Sequence, residues 1–76
     1  MKLKITQDYP GLGNVTLAVL DFHYLKTEKE AKAMIEEEWD IFKSGEPESD
    51  SQFYEWLEKR GFDVSEEEEM WTLDVG

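Results

Sequence analysis

Val15-Thr16-Leu17-Ala18-Val19-Leu20-Asp21-Phe22-His23-Tyr24-Leu25 is the stretch on which the fold turns. Taken at every second residue, Val15, Leu17 and Val19 fall on one side, and Ala18, Leu20, Phe22 and Tyr24 on the other. A strand with one wet face alternates apolar and polar residues, whereas this one is apolar on both sides for much of its length. It reads as a central strand, paired on both edges and covered at least partly on both faces. The register of its pairing decides which set faces the core, because a slip of one residue exchanges the two.

Upstream, Leu3, Ile5 and Tyr9 alternate with Lys2, Lys4 and Thr6, the period of a strand with one wet face. Pro10-Gly11-Leu12-Gly13-Asn14 between the two strands is a turn, since Pro fixes φ and Gly and Asn tolerate positive φ. The pair is a β-hairpin. Gly11-x-Gly13 is not a phosphate loop, because Thr16 stands where a third glycine is needed and a strand follows instead of a helix.

Downstream, Thr27-x-x-Glu30 is a capping box that opens a helix running to about Lys43, closed by Ser44-Gly45 and Pro47. At 100° per residue Ala31, Met34, Ile35, Ile41 and Phe42 gather on one side with Trp39 at the edge, while Glu36, Glu37, Asp40 and Lys43 lie mainly opposite. Residues 46–50 form a polar link. Ser49-x-x-Gln52 is a second capping box, opening a shorter helix to about Arg60 with Phe53, Trp56 and Leu57 as its stripe and Tyr54 beside it. Gly61 fits the left-handed position after that helix, with Phe62 folding back on its end. Phe62-Asp63-Val64 has extended character, Ser65 to Glu69 is too self-repelling to be buried, and Trp71, Leu73 and Val75 alternate with Thr72 and Asp74 as a last strand. The order predicts one α+β domain over residues 1–76, β-β-α-α-β. Its sheet is three-stranded and mainly antiparallel, with 15–25 in the middle and both helices on one face. That arrangement leaves apolar residues of the central strand on the open face, and such patches mark interfaces, including those between copies of one chain.

Composition narrows the function classes. Seventy-six residues without cysteine exclude disulfides and thiolate metal sites, and the ten aromatic residues compensate for a small core. No run approaches the roughly 18 apolar residues of a membrane span, and Met-Lys-Leu-Lys-Ile-Thr opens a strand in place of a secretory signal, so a cytoplasmic protein is expected. Net charge is −11, unevenly placed. Residues 1–33 carry five lysines against Asp8, Asp21, Glu28 and Glu30; residues 34–76 carry fifteen acids against Lys43, Lys59 and Arg60. Such a field disfavours nucleic acid and anionic membranes and favours basic proteins.

Candidates for chemistry are few. His23, on the strand face of Asp21, lacks the nucleophile and third partner that catalysis requires. Glu38 sits inside the apolar stripe of the first helix, where burial would raise its pKa unless it reaches the rim or meets a cation such as Lys26. The acids of the first helix and Glu66–Glu69 do not make a cation cage, because the spacing of an EF-hand is missing and consecutive glutamates point in different directions. No cofactor and no catalytic residue is predicted. What remains is the acidic surface: Glu36, Glu37 and Asp40 with Glu30, Glu46, Glu48 and Asp50 as one row, and Glu55, Glu58, Asp63, Glu66, Glu67, Glu68 and Glu69 as another, with Trp39 and Tyr54 as aromatic anchors. DNA-binding proteins carry arrays of Lys and Arg for a dense row of phosphates. A rigid acidic protein competes for the same arrays. In size, acidity, lack of cysteine and α+β order the chain resembles, in type and without a shared motif, phage-encoded inhibitors of host nucleic-acid enzymes. The function expected is a non-enzymatic module that inhibits or regulates a basic nucleic-acid-handling protein by charge complementarity, acting as a DNA mimic. A self-associating assembly protein using the open sheet face is the alternative.

Overall fold

A computed structural model describes residues 2–22, 27–65 and 71–75. Among these residues four strands form one mixed sheet: β1 (Lys2–Tyr9), β2 (Gly13–Asp21), β3 (Asp63–Val64) and β4 (Trp71–Asp74), in the order β3-β2-β1-β4. Two helices pack on it, α1 (Glu28–Ser44) and α2 (Phe53–Lys59), the latter entered through a 3-10 turn at Asp50–Gln52.

The hairpin forms where the glycines allow it. Leu12 N–H donates to Tyr9 O at 3.0 Å, with Pro10 and Gly11 (φ 83°) at the corner, the pattern of a type II turn. Register follows from the turn: Leu3 faces Leu20 and Ile5 faces Ala18. Beyond Ile5 the register shifts, Thr6 lying opposite Thr16, so Leu17 is the extra residue of a β-bulge. The bulge breaks strict alternation, and Leu17 and Ala18, neighbours in sequence, are both buried.

The strand count is corrected from three to four. Asp63–Val64 pairs antiparallel with β2 only at Leu20 and Asp21, a contact too short to show in sequence periodicity. Of the Val15–Leu25 stretch, residues 15–21 belong to β2 and lie inside the sheet, while residues 23–25 fall outside the described residues; β1 is equally internal. β4 runs parallel to β1, with Leu3 opposite Trp71 and Ile5 opposite Leu73. Leu3, Ile5, Ala18, Leu20 and Leu73 meet Ala31, Ile35 and Phe42 of α1 and Phe53 and Leu57 of α2 in one core. The alternate positions, Lys2, Lys4, Val19, Asp21, Thr72 and Asp74, form the far face over these rows. Among the described residues that face is therefore mostly charged and polar, and the expected apolar patch is replaced by half-buried Val19 between polar neighbours.

The helices begin as their caps dictate, with changes of detail. Thr27 Oγ1 accepts from Glu30 N–H at 3.1 Å, but Glu30 Oε1 takes the Thr27 hydroxyl proton (3.0 Å) in place of the backbone N–H of a full capping box. Ser49 caps the 3-10 turn by accepting from Ser51 N–H, while Gln52 makes no side-chain cap. α2 ends in a Schellman motif: Gly61 (φ 92°) N–H donates to Glu58 O and Phe62 N–H to Leu57 O. Phe62 then meets the edge of Phe22 at 6.4 Å. At the end of α1 it is Glu46 (φ 52°), not Gly45, that turns left-handed. The buried stripe of α1 is Ala31, Ile35, Glu38 and Phe42, which leaves Ile41 exposed.

Candidate functional site: the acidic helical layer

The helical layer is held together by aromatic rings and one ion pair. Phe53, fully buried, sits 4.9 Å edge-on to Trp39 and 5.1 Å from Phe42, so the start of α2 is fixed against the second half of α1. Trp56 meets Phe42 at 5.8 Å. Such pairs add to the area each ring buries. Glu38, 8 % exposed, receives Arg60 through Nε (2.8 Å) and Nη2 (2.9 Å) and the indole N–H of Trp56 (3.2 Å). Its carboxyl is held below the usual glutamate range, first by the Arg60 hydrogen bonds, which outweigh the opposing effect of burial. The rise expected from burial alone is thus reversed. The partner is Arg60, twenty-two positions away, and Glu38 is a clasp between helices.

A second polar tie joins the link to the sheet. Asp50 accepts from Lys43 Nζ (2.6 Å) and from the Gln7 side-chain amide, and these bonds, Lys43 first, lower its pKa. Asp50 is drawn inward and leaves the outer row to which its sequence position assigned it. Lys43 also lies 5.4 Å from the Trp39 ring centre.

The acids of the proposed surface fall where the helical period put them. Glu36, Glu37 and Asp40 are exposed on α1, and Glu55 and Glu58 are exposed on α2. Tyr54 is 39 % exposed, while Trp39 is half-buried and belongs as much to the core as to the surface. Glu66, Glu67, Glu68 and Glu69, and also His23, lie outside the described residues. The ion-paired cations of the helical layer serve other acids: Lys32 pairs with Glu28 (2.9 Å), Lys43 with Asp50 and Arg60 with Glu38. Glu37 feels Arg60 only through its field. Among the described residues, no side-chain hydrogen bond or ion pair engages Glu36, Asp40, Glu55 or Glu58. These acids are exposed without a direct ion pair, with Lys59 one helical turn from Glu55.

Among the described residues no group of three His, Asp or Glu side chains is placed to hold a metal ion. No helix there is long and apolar enough to cross a membrane. Sequence reading missed a cleft of about 330 Å³ beside this layer, lined by Phe42, Pro47, Gln52, Glu55, Trp56 and Lys59. The i, i+3, i+4, i+7 spacing of Gln52, Glu55, Trp56 and Lys59 was the available signal. The chain matches no known protein family, no characterised protein and no solved structure in any of the three comparisons.

Proposed function

We propose that this protein is a non-enzymatic, acidic binding module that engages a basic, nucleic-acid-handling protein in the cytoplasm and competes with nucleic acid for its Lys and Arg array. The observation that supports this reading is the set of exposed acids Glu36, Glu37, Asp40, Glu55 and Glu58, none of them in a direct ion pair among the described residues, on two helices fixed to each other by Phe53 and by the Glu38–Arg60 clasp. Rigidity matters here. Carboxylates held in place lose less freedom on binding than the same charges on a floppy chain. Charge of this kind steers encounter with a basic surface and sets specificity, and its effect falls with ionic strength. The alternative of self-association through an apolar sheet face draws no support from the described far face, where lysines and aspartates dominate.

The test is capture of nucleic-acid-binding proteins on the immobilised module, with a five-site variant (Glu36→Gln, Glu37→Gln, Asp40→Asn, Glu55→Gln, Glu58→Gln) as control. A captured basic protein released by moderate salt and by duplex DNA, and not captured by the variant, supports competition for a nucleic-acid site. A partner indifferent to salt, DNA and the five changes overturns it.

A further inference from the structure

Leu12 is the most exposed large apolar residue among those described, at 77 %. It stands at the hairpin tip, held between Gly11 (φ 83°) and Gly13 (φ 76°). The turn uses only its N–H, which donates to Tyr9 O, and a type II turn asks for no leucine side chain at that position. The cleft of about 330 Å³ lies at the same end of the molecule. Gln7 of β1 holds Asp50 through its side-chain amide, and Pro47 and Gln52, on either side of Asp50 in the chain, line the cleft. From Gln7, three extended residues, about 10 Å, carry the chain on to the turn. A lone exposed leucine is ordinary on a protein surface. One fixed on a rigid tip beside an apolar-floored hole is the pair of features that a self-complementary contact needs.

The cleft favours an uncharged occupant. Phe42, Pro47 and Trp56 make its floor, and the Trp56 ring is held by its N–H bond to Glu38 and by Arg60 over its face at 5.7 Å. On the rim Glu55 and Lys59, one turn apart on α2, offset each other, so neither an anion nor a cation is selected. Gln52, Glu55 and Lys59 are all exposed and keep their water when the floor is covered, so an apolar side chain strands no buried polar group. The volume lies at the small end of the roughly 300–1,000 Å³ found for ligand sites and takes one side chain better than a whole ligand. These properties describe the seat of an apolar residue presented on a narrow projection, and Leu12 of a second copy is such a residue.

We infer that two copies of this chain pair end to end, each seating its Leu12 in the other's cleft. Because knob and hole lie at one end, a two-fold axis satisfies both at once and the assembly closes as a dimer. Two leucines and two small clefts make a contact below the standard interface size, so the dimer is weak, with Kd on the order of 0.1–1 mM. Net charge of −11 on each copy opposes pairing, and salt relieves that repulsion while leaving the apolar burial in place. Salt therefore strengthens this contact, the reverse of its effect on capture of a basic partner, and the inference stands apart from that reading.

The test is sedimentation of the full chain across the range of about 0.05–1 mM, at low and at moderate NaCl, beside methyl and indole NMR spectra. Rising concentration is expected to shift the Leu12 methyl and Trp56 indole N–H signals together, with a monomer–dimer Kd several-fold tighter at the higher salt. In a mixture of methyl-labelled and unlabelled protein, the Leu12 methyls are expected to show NOEs to the Trp56 ring of the unlabelled copy. Leu12→Ser, a change to an exposed side chain, is expected to weaken pairing at least about ten-fold without moving Tm. A monomer at every concentration and salt overturns the inference, as does pairing that Leu12→Ser leaves unaltered. Pairing that salt weakens, or assemblies that grow past the dimer, overturn it too. None of these outcomes bears on capture of a basic protein, which the five-site variant tests separately.

Discussion

Glu46 carries φ 52° immediately before Pro47, a backbone state that Gly adopts freely and a glutamate does not. Its N–H donates to Lys43 O at 3.1 Å, so the strained residue also closes the end of α1. Replacing it by glycine removes the Cβ conflict and keeps that bond, at the expense of a freer unfolded chain. Glu46→Gly should therefore raise stability by about 0.5–1 kcal/mol, or roughly 2–8 °C in Tm. Gly61→Ala should do the opposite by about 1 kcal/mol or more, since φ 92° is already occupied by the residue suited to it. Thermal melts of the two variants check this. A Glu46→Gly protein that melts lower than the parent shows that the glutamate side chain contributes more than its backbone strain costs.

At the scale of elements, the contact that decides how α1 and α2 sit is the Glu38 clasp, and it divides unequally. The Glu38 side chain is 11 % exposed and that of Arg60 49 %. Glu38→Gln leaves a less buried cation with a poorer acceptor, at about 1–2 kcal/mol; Arg60→Lys should lower stability by less, because a half-exposed cation keeps much of its water. A double-mutant cycle on Glu38→Gln and Arg60→Gln should give a favourable coupling, and additivity within about 0.3–0.5 kcal/mol would remove the clasp as a determinant of helix packing. The elements themselves were legible in the sequence because their signals are local. Thr27, Gly61 and the 3.6-residue stripes place both limits of α1 and the end of α2 within a residue or two, whereas α2 itself starts at Phe53, after the 3-10 turn that Ser49 caps; the glycine turn places the hairpin. What was not legible depends on residues distant in the chain or on a backbone irregularity. Glu38 finds Arg60 only after two helices and a link have folded, the bulge at Leu17 is hidden in a stretch that is apolar at both sets of alternate positions, and nothing near Trp71 announces a parallel partner at Leu3. The acidic band was legible as charge. Its exposure was legible too, but not the diversion of Lys43 and Arg60 to Asp50 and Glu38, which leaves the band unpaired.

For the whole molecule, charge sets stability in two opposing ways. Nineteen acids against eight bases repel one another near neutrality, so added salt, or acidification to about pH 5, should raise Tm by weakening that repulsion. Glu38 and Asp50 act in the other direction, because their folded pKa values lie below the ordinary ones. The folded state then binds fewer protons than the unfolded chain as pH falls through the carboxylate range. Their contribution is fully present above the ordinary carboxylate range, about pH 5, and is lost progressively as pH falls through and below that range. Tm should pass through a maximum near pH 5 and fall on the acid side, and Glu38→Gln should flatten the acid limb. Melts across this range check it: a steady rise of Tm into strong acid, or a neutral Tm indifferent to salt, contradicts this balance.

The parallel pairing of Leu3 with Trp71 and Ile5 with Leu73 has a kinetic consequence. The two strands come from opposite ends of the described chain, so the contact that completes the sheet beside β1 closes nearly the longest loop available. Loop closure of that kind costs entropy before any packing repays it, and folding slows as contacts become more distant in sequence. During synthesis the hairpin and α1 can form early, but one edge of β1 stays open until residues 71–74 have emerged. A nascent chain must therefore wait, partly built and acidic, for its last strand.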